Sequence, residues 1–126
     1  MKKIIKSENA PNPVGPYSHA VLSGKTIYTS GQVGIDPNTG KLVIGDIKDE
    51  TRQAMQNLKS ILETANATMS NVVKATIFLK DMNNFAAMNE VYGSFFDSGF
   101  PARETVQAVR LPVDANVEIS VVAVLD

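Results

Sequence analysis

Arg103 stands in Pro101-Ala102-Arg103-Glu104-Thr105-Val106, where a turn feeds a strand, and Glu118 stands near the start of the next and last strand. An arginine is a rigid, permanently charged fork that receives a carboxylate through two parallel hydrogen bonds. A glutamate beside such a fork can hold a water or move a proton. Two Gly/Ser-type turns come earlier, at Gly15-Pro16-Tyr17-Ser18 and Ser30-Gly31-Gln32. Together these residues read as a small pocket for a carboxylate-bearing molecule with hydrolytic chemistry next to it. Taken alone, Arg103 and Glu118 read equally well as a structural ion pair.

The neighbouring candidates carry the same double reading. Gly31 lets a ligand approach the backbone closely, and its N–H can donate to an anionic or carbonyl oxygen. A β-bulge or strand-end turn accounts for Ser30 and Gly31 equally simply. Tyr17 follows a rigid turn and can line a pocket; such a tyrosine is more often core with its hydroxyl at the rim. Thr105 alternates with Arg103 on one strand face, so its hydroxyl can enter the same pocket. Threonine is also an ordinary strand residue. Glu118 heads the apolar run Ile119-Ser120-Val121-Val122-Ala123-Val124, so its carboxylate must find a donor or stay in water. His19 is the single histidine. It could serve as a general base, but a surface place or a satisfied polar contact is the better expectation, because spacing fixes no carboxylate partner. Asp46, Asp49 and Glu50 read as charges compensating a helix dipole rather than as a metal site.

These side chains must be placed by regular elements. Lys2–Lys6 reads as a short first strand, and residues 9–16, with three prolines and a glycine, as a loop. Tyr17–Leu22 and Thr26–Ser30 read as strands joined by a turn at Ser23-Gly24-Lys25. Gly31 and Gly34 interrupt the chain after the second of these strands, and Asp36-Pro37-Asn38-Thr39-Gly40 is a turn by composition. The first helix is predicted over 48–66, with Ala54, Met55, Leu58, Ile61, Leu62 and Ala65 on one face. Arg52, Gln56, Lys59 and Glu63 occupy the other. Val72–Leu79 is a β-branched strand. A second helix, capped by Asn83 or Asn84 and ending near Phe96, has Phe85, Met88, Val91, Tyr92 and Phe95 as its buried stripe. Phe85, at the edge of that stripe, is core first and a pocket wall second. Strands at 103–109 and 116–125 close the chain around a turn at 110–115.

The order is strands, helix, strand, helix, two strands, which is an α+β layer with two helices on one face of a mixed sheet. The other sheet face keeps apolar side chains and needs a partner, so a homo-oligomer is expected. The 126 residues fit one domain, and 44% apolar with 20% charged residues is an ordinary globular composition. The net charge of -1 leaves no basic footprint for a nucleic acid. With no cysteine, thiol nucleophiles, zinc–thiolate sites and iron–sulfur clusters are excluded. No apolar run is long enough for a signal peptide or a membrane span, so the cytoplasm is the expected location.

Four segments stand in the order of one known family. They are Gly15-Pro16-Tyr17-Ser18, Ser30-Gly31-Gln32, Asn89-Glu90-Val91-Tyr92, and Pro101-Ala102-Arg103 through Leu111-Pro112 to Val117-Glu118-Ile119. Over essentially its whole length the chain resembles the reactive intermediate deaminase, or Rid (YjgF-type), family, and within it the RidA-type subgroup. That resemblance implies a chorismate-mutase-like α+β fold and a homotrimer, whose sheets form an inner barrel with the sites in clefts between subunits. It implies hydrolysis of 2-enamine/2-imine acids, such as 2-aminoacrylate/2-iminopropanoate and 2-iminobutanoate, to 2-keto acids and ammonia, with no cofactor and no metal. By position, Arg103 resembles the carboxylate clamp and Glu118 the residue holding the attacking water. Tyr17, Ser30 and Gly31 resemble the pocket, and Phe85 an apolar wall. Many RidA-like relatives carry cysteine where Thr105 stands here, so that side chain is expected to act through shape or hydrogen bonding. Two rivals remain. One is a regulatory protein that senses a keto or amino acid without turnover. The other is an endoribonuclease or translation inhibitor.

Overall fold

A computed structural model describes residues 1–126. The elements are β1 (Lys2–Ile5), β2 (Ala20–Ser23), β3 (Thr26–Thr29), β4 (Ile35–Asp36), β5 (Lys41–Leu42), α1 (Ile47–Thr64), β6 (Val72–Leu79), α2 (Phe85–Gly93), β7 (Ala102–Gln107) and β8 (Val117–Val124). Six strands form one sheet in the order β1-β2-β3-β8-β6-β7, and β4-β5 is a separate ribbon. Neighbours in the large sheet run antiparallel except β6 and β7, which are parallel. A parallel pair needs a crossover, and α2 supplies it. The expected α+β layer with a mixed sheet and two helices is the observed one. No helix is long and apolar enough to cross a membrane.

The period-2 pleat of β8 explains which face is covered. Val117, Ile119, Val121 and Ala123 are buried, and they pack with Ala54, Met55, Leu58, Ile61 and Leu62 of α1 in one core. Met88 and Tyr92 of α2 belong to the same core. Glu118, Ser120, Val122 and Val124 therefore point to the other face, which no helix covers. Ile4, Tyr28, Val106 and Val124 are exposed there, around a polar cluster in which Glu104 receives Lys74 Nζ at 3.2 Å and Thr76 Oγ1 at 3.3 Å.

Several expected boundaries shift for local reasons. Residues 17–19 lie outside β2, because the prolines and Gly15 hold that approach in a tight turn, Tyr17 N–H donating to Gly15 O at 2.8 Å. Asn84 makes no capping hydrogen bond. Asp81 does the work one turn earlier, accepting from Asn83 N–H at 2.9 Å over the short 3₁₀ turn Met82–Asn84. The α-helical part of α2 stops at Gly93, and the chain tightens to i→i+3 bonds through Phe96.

The inner polar stripe of α1 ties the helix to the loops it covers. Asp46 and Asp49 form a capping box, with both bonds at 3.1 Å. Glu50 lies in the first turn of α1, as expected of a dipole-compensating charge, and is also buried, accepting from Asn116 N at 3.0 Å and from Asn116 Nδ2. It thereby fixes the start of β8. Asn57 is also buried; its Nδ2 donates to Val33 O at 3.2 Å and Ile35 O at 2.9 Å. Gly34 permits this approach, since a Cβ there would lie 2.8 Å from Glu50 O. His19 is buried as well. Ser7 N–H donates to its Nδ1 at 3.0 Å, so the ring proton is on Nε2, which donates to Pro11 O at 2.6 Å. The satisfied polar contact is the reading that holds, and the ring clips both ends of residues 7–11.

Replacing Asn57 by Ala strips one buried and one part-buried carbonyl of their donor and is expected to cost about 1–3 kcal/mol in urea unfolding. An unchanged urea midpoint would show that α1 does not hold the 33–35 segment through this amide.

Candidate functional site

The parallel β6–β7 register sets Arg103 opposite Ala75 and Thr105 opposite Ile77. Ala75 and Ile77 are buried under the helices, so Arg103 and Thr105 project to the helical side. There α2 offers Phe85, Asn89 and Tyr92, spaced i, i+4, i+7 on one face. The Arg103 guanidinium carbon lies 5.5 Å from the Phe85 ring centre and 5.0 Å from that of Tyr92. Arg103 NH1 donates to Asn89 Oδ1 at 2.7 Å. No carboxylate pairs with Arg103. A neutral acceptor and two π faces orient the fork while leaving its positive charge uncancelled. The fork lines a cavity of about 290 Å³ with Gly93, Phe100 and Pro101. The buried hydroxyls of Tyr92 and Thr105 have no hydrogen-bond partner. Burial raises the Tyr92 phenol's pKa, and the charge of Arg103 partly offsets this.

Glu118 lies opposite Phe78 in the β6–β8 register, on the uncovered face. No hydrogen bond or ion pair engages its carboxylate, and burial holds its pKa above the ordinary glutamate value. Beside it, Gln32 and Ile119 exchange backbone hydrogen bonds of 2.8 and 3.0 Å, which presses Gly31 onto the Glu118 side chain. A Cβ on residue 31 would fall 2.8 Å from Glu118 Cδ, so glycine is what gives the carboxylate its place. Ser30 is held by its N–H to His19 O at 3.0 Å and its Oγ to Ser18 O at 2.6 Å. Tyr17 OH accepts from Val14 N–H at 3.4 Å. Tyr17, Ser30, Gly31 and Glu118 form the polar side of a cavity of about 390 Å³. Val14, Val33, Ile35, Pro112 and Val113 form its apolar side.

The expected site residues thus fall into two groups. Arg103, Thr105 and Phe85 are on the helical side; Tyr17, Ser30, Gly31 and Glu118 are on the other. Within one chain Arg103 and Glu118 do not meet. They are on opposite faces with β6 between their strands, which removes the structural ion pair as an explanation. Asn89 and Tyr92 join the site without being expected from the residues. Asn89 is the legible signal, a polar residue one turn beyond Phe85 on a stripe that reads as core. No group of three or more His, Cys, Asp or Glu side chains converges as a metal site.

A family model described as "Endoribonuclease L-PSP", the YjgF/Rid group, matches residues 7–125. The chain belongs to the Rid family. A RutC family protein of Pyrococcus horikoshii is 51% identical to this Rid chain over 98% of each. A protein of Dermatophagoides farinae named 2-iminobutanoate/2-iminopropanoate deaminase is 47% identical, over 99% of this chain and 98% of its own. The solved structure of E. coli TdcF with bound serine superposes with a TM-score of 0.95 at 39% identity, covering 98% of this chain and 99% of that one.

Two outcomes are expected of this Rid chain. Gly31→Ala should keep the fold, with a loss of about 1 kcal/mol or less, because only the end of a flexible side chain must yield. It should displace the Glu118 carboxylate, read as a shifted Glu118 side-chain carboxyl resonance; an unmoved resonance would show that the contact is not sterically tight. The second concerns pH. With its pKa raised on folding, Glu118 binds its proton more tightly in the folded chain, so its contribution to stability falls as pH rises from about 4.3 upward. In the dissociated protomer Glu118→Gln should therefore raise Tm, by a margin that vanishes in acid and widens toward neutral pH. A margin of opposite sign would report a cation within reach of the carboxylate.

Proposed function

We propose that this chain hydrolyses 2-enamine/2-imine acids, such as 2-iminopropanoate and 2-iminobutanoate, to 2-keto acids and ammonia, in clefts between the protomers of a homotrimer. The observation that carries the reading is the uncancelled charge of Arg103, oriented by α2 and open to a carboxylate. The name of the Dermatophagoides relative supports the reaction, and the serine bound to TdcF supports an amino-acid-like carboxylate as ligand.

The two half-sites explain why more than one protomer is needed. Arg103 sits on edge strand β7, and Glu118 sits on the open face, so the open face of a second copy is what can bring the two charges into one cleft. Such a contact is heterologous, and repeated around an axis it closes a ring. It would also cover Tyr28 and Val106, which are otherwise exposed.

In that cleft Arg103 grips the substrate carboxylate and so fixes the adjacent imine carbon. Tyr17, Ser30 and the Gly31 N–H, which makes no backbone hydrogen bond within the chain, line the space around that carbon. Glu118, its proton affinity raised by burial, positions a water and takes a proton from it as the oxygen adds to the C=N carbon. The resulting carbinolamine receives that proton from Glu118 on nitrogen, its C–N bond breaks as the hydroxyl yields its own proton to the Glu118 carboxylate, and ketone and ammonia leave. An iminium carbon is already electrophilic, and free imines hydrolyse unaided, so the acceleration required is modest.

The rival reading of carboxylate sensing without turnover also draws on the bound serine of TdcF. It predicts ligand binding lost in Arg103→Ala with no release of ammonia. RNA cleavage gains no support from the single histidine, whose nitrogens are both engaged by backbone.

The test couples a threonine or serine dehydratase to this protein and monitors 2-keto acid formation. The wild type should accelerate it, and Arg103→Ala and Glu118→Gln should each abolish the acceleration. Mixing the two inactive variants after dissociation and reassembly should restore about a quarter of the activity, because random rings pair one intact Arg103 with one intact Glu118 at that frequency. No acceleration by the wild type would overturn the reaction; no restoration on mixing would overturn the shared cleft.

A further inference from the structure

Ser7, His19, Gln32, Glu50, Thr51 and Asn57 are the buried polar residues of the chain. All but Gln32 have their side chains answered. Ser7 Oγ accepts from Asn9 N–H and donates to Ser60 O. Thr51 Oγ1 donates to Ile47 O at 2.7 Å. His19, Glu50 and Asn57 make the bonds described above, and Asn57 Oδ1 also accepts from Gln53 Nε2 at 2.9 Å. Gln32 is 6% exposed. Its backbone exchanges hydrogen bonds with Ile119, and its carboxamide makes none. A carboxamide has two N–H donors and an oxygen acceptor, and leaving them unanswered in the interior is costly. A native chain that carries such a group asks for an explanation of it.

Gln32 lines a cavity of about 260 Å³ between the strap before β2 and the turn of the β4-β5 ribbon. Pro11, Val14, Val33, Ile35 and Pro37 make its apolar wall, and Asn12 stands at the exposed rim. No charged side chain lines it. It adjoins the Glu118 cavity across Tyr17 and Gly31, which line both. An ion entering this space would lose its hydration and meet no counter-charge. A neutral group with C=O beside N–H meets what it needs. Its N–H donates to Gln32 Oε1 while Gln32 Nε2 donates to its oxygen, two bonds in one plane.

We propose that this cavity is a binding site for a small neutral amide, primary or cyclic, read by the Gln32 carboxamide through that pair of hydrogen bonds. The site goes beyond imine hydrolysis, which sets the acid group on Arg103 and gives the Gln32 side chain no part.

The experiment titrates 2-pyrrolidinone, a cyclic amide with C=O and N–H on one edge, into the full chain. N-methyl-2-pyrrolidinone is the comparison, because it keeps the ring and the carbonyl and lacks the N–H. The readout is the side-chain NH₂ resonance pair of Gln32, assigned by its loss in Gln32→Met, together with the backbone resonances of Tyr17 and Gly31. Wild type should show saturable shifts with a Kd of about 1 mM for 2-pyrrolidinone. The N-methyl compound should bind about tenfold more weakly or worse, since it leaves the Gln32 oxygen unpaired. In Gln32→Met, which has a side chain of matching length and keeps the backbone bonds to Ile119, the Tyr17 and Gly31 shifts should disappear. Shifts that climb without saturating would overturn the site. So would equal affinity for the two compounds, or 2-pyrrolidinone binding retained in Gln32→Met. If that variant does not fold, the comparison of the two compounds on wild type decides alone. The presence or absence of imine hydrolysis bears on none of these outcomes.

Discussion

The pleat of a β-sheet separates the two groups that the proposed reaction needs together. Arg103 is on the face with the helices and Glu118 is on the other, so the chain cannot neutralise one with the other. Each charge is instead held by groups that do not cancel it. Arg103 has two aromatic rings and an amide oxygen; Glu118 has the bare backbone of Gly31. Partly buried charges without partners are costly, and that cost is what favours the shared cleft proposed above.

The remainder of the structure serves to hold these two groups still. The inner polar stripe of α1, Glu50 and Asn57, reaches past the apolar core to fix the first residue before β8 and the 33–35 segment. The His19 ring clips the 7–11 strap, and Ser30 clips the 18–19 backbone. The loops around Glu118 are thus stapled by buried and part-buried hydrogen bonds.

Much of the fold is legible in the sequence because its signals are local. The α1 stripe from Ala54 to Ala65 and the β-branched run at 72–79 depend on side-chain period alone, and both appear as expected. Expectation fails where a distant partner decides. Glu50 is the helix-start charge it reads as, but its tie to Asn116, far along the chain, leaves no local signal. His19 shows no partner by spacing because both its partners are backbone atoms of an irregular strap. The site obeys the same rule. Residue types point to Arg103 and Glu118, but the face each occupies depends on strand register, which no local pattern encodes.

The crossover through α2 has a consequence for how the two halves can change. Strand β6, helix α2 and strand β7 form one uninterrupted stretch that carries the guanidinium together with its whole cradle. The carboxylate half is assembled from scattered segments near residues 14–17, 30–35 and 112–118. The proposed recognition of an acid group is therefore a self-contained cassette. The proposed hydrolytic half is a mosaic, exposed to drift at many points along the chain. A scaffold divided in this way would let an acid-binding half outlast a catalytic one.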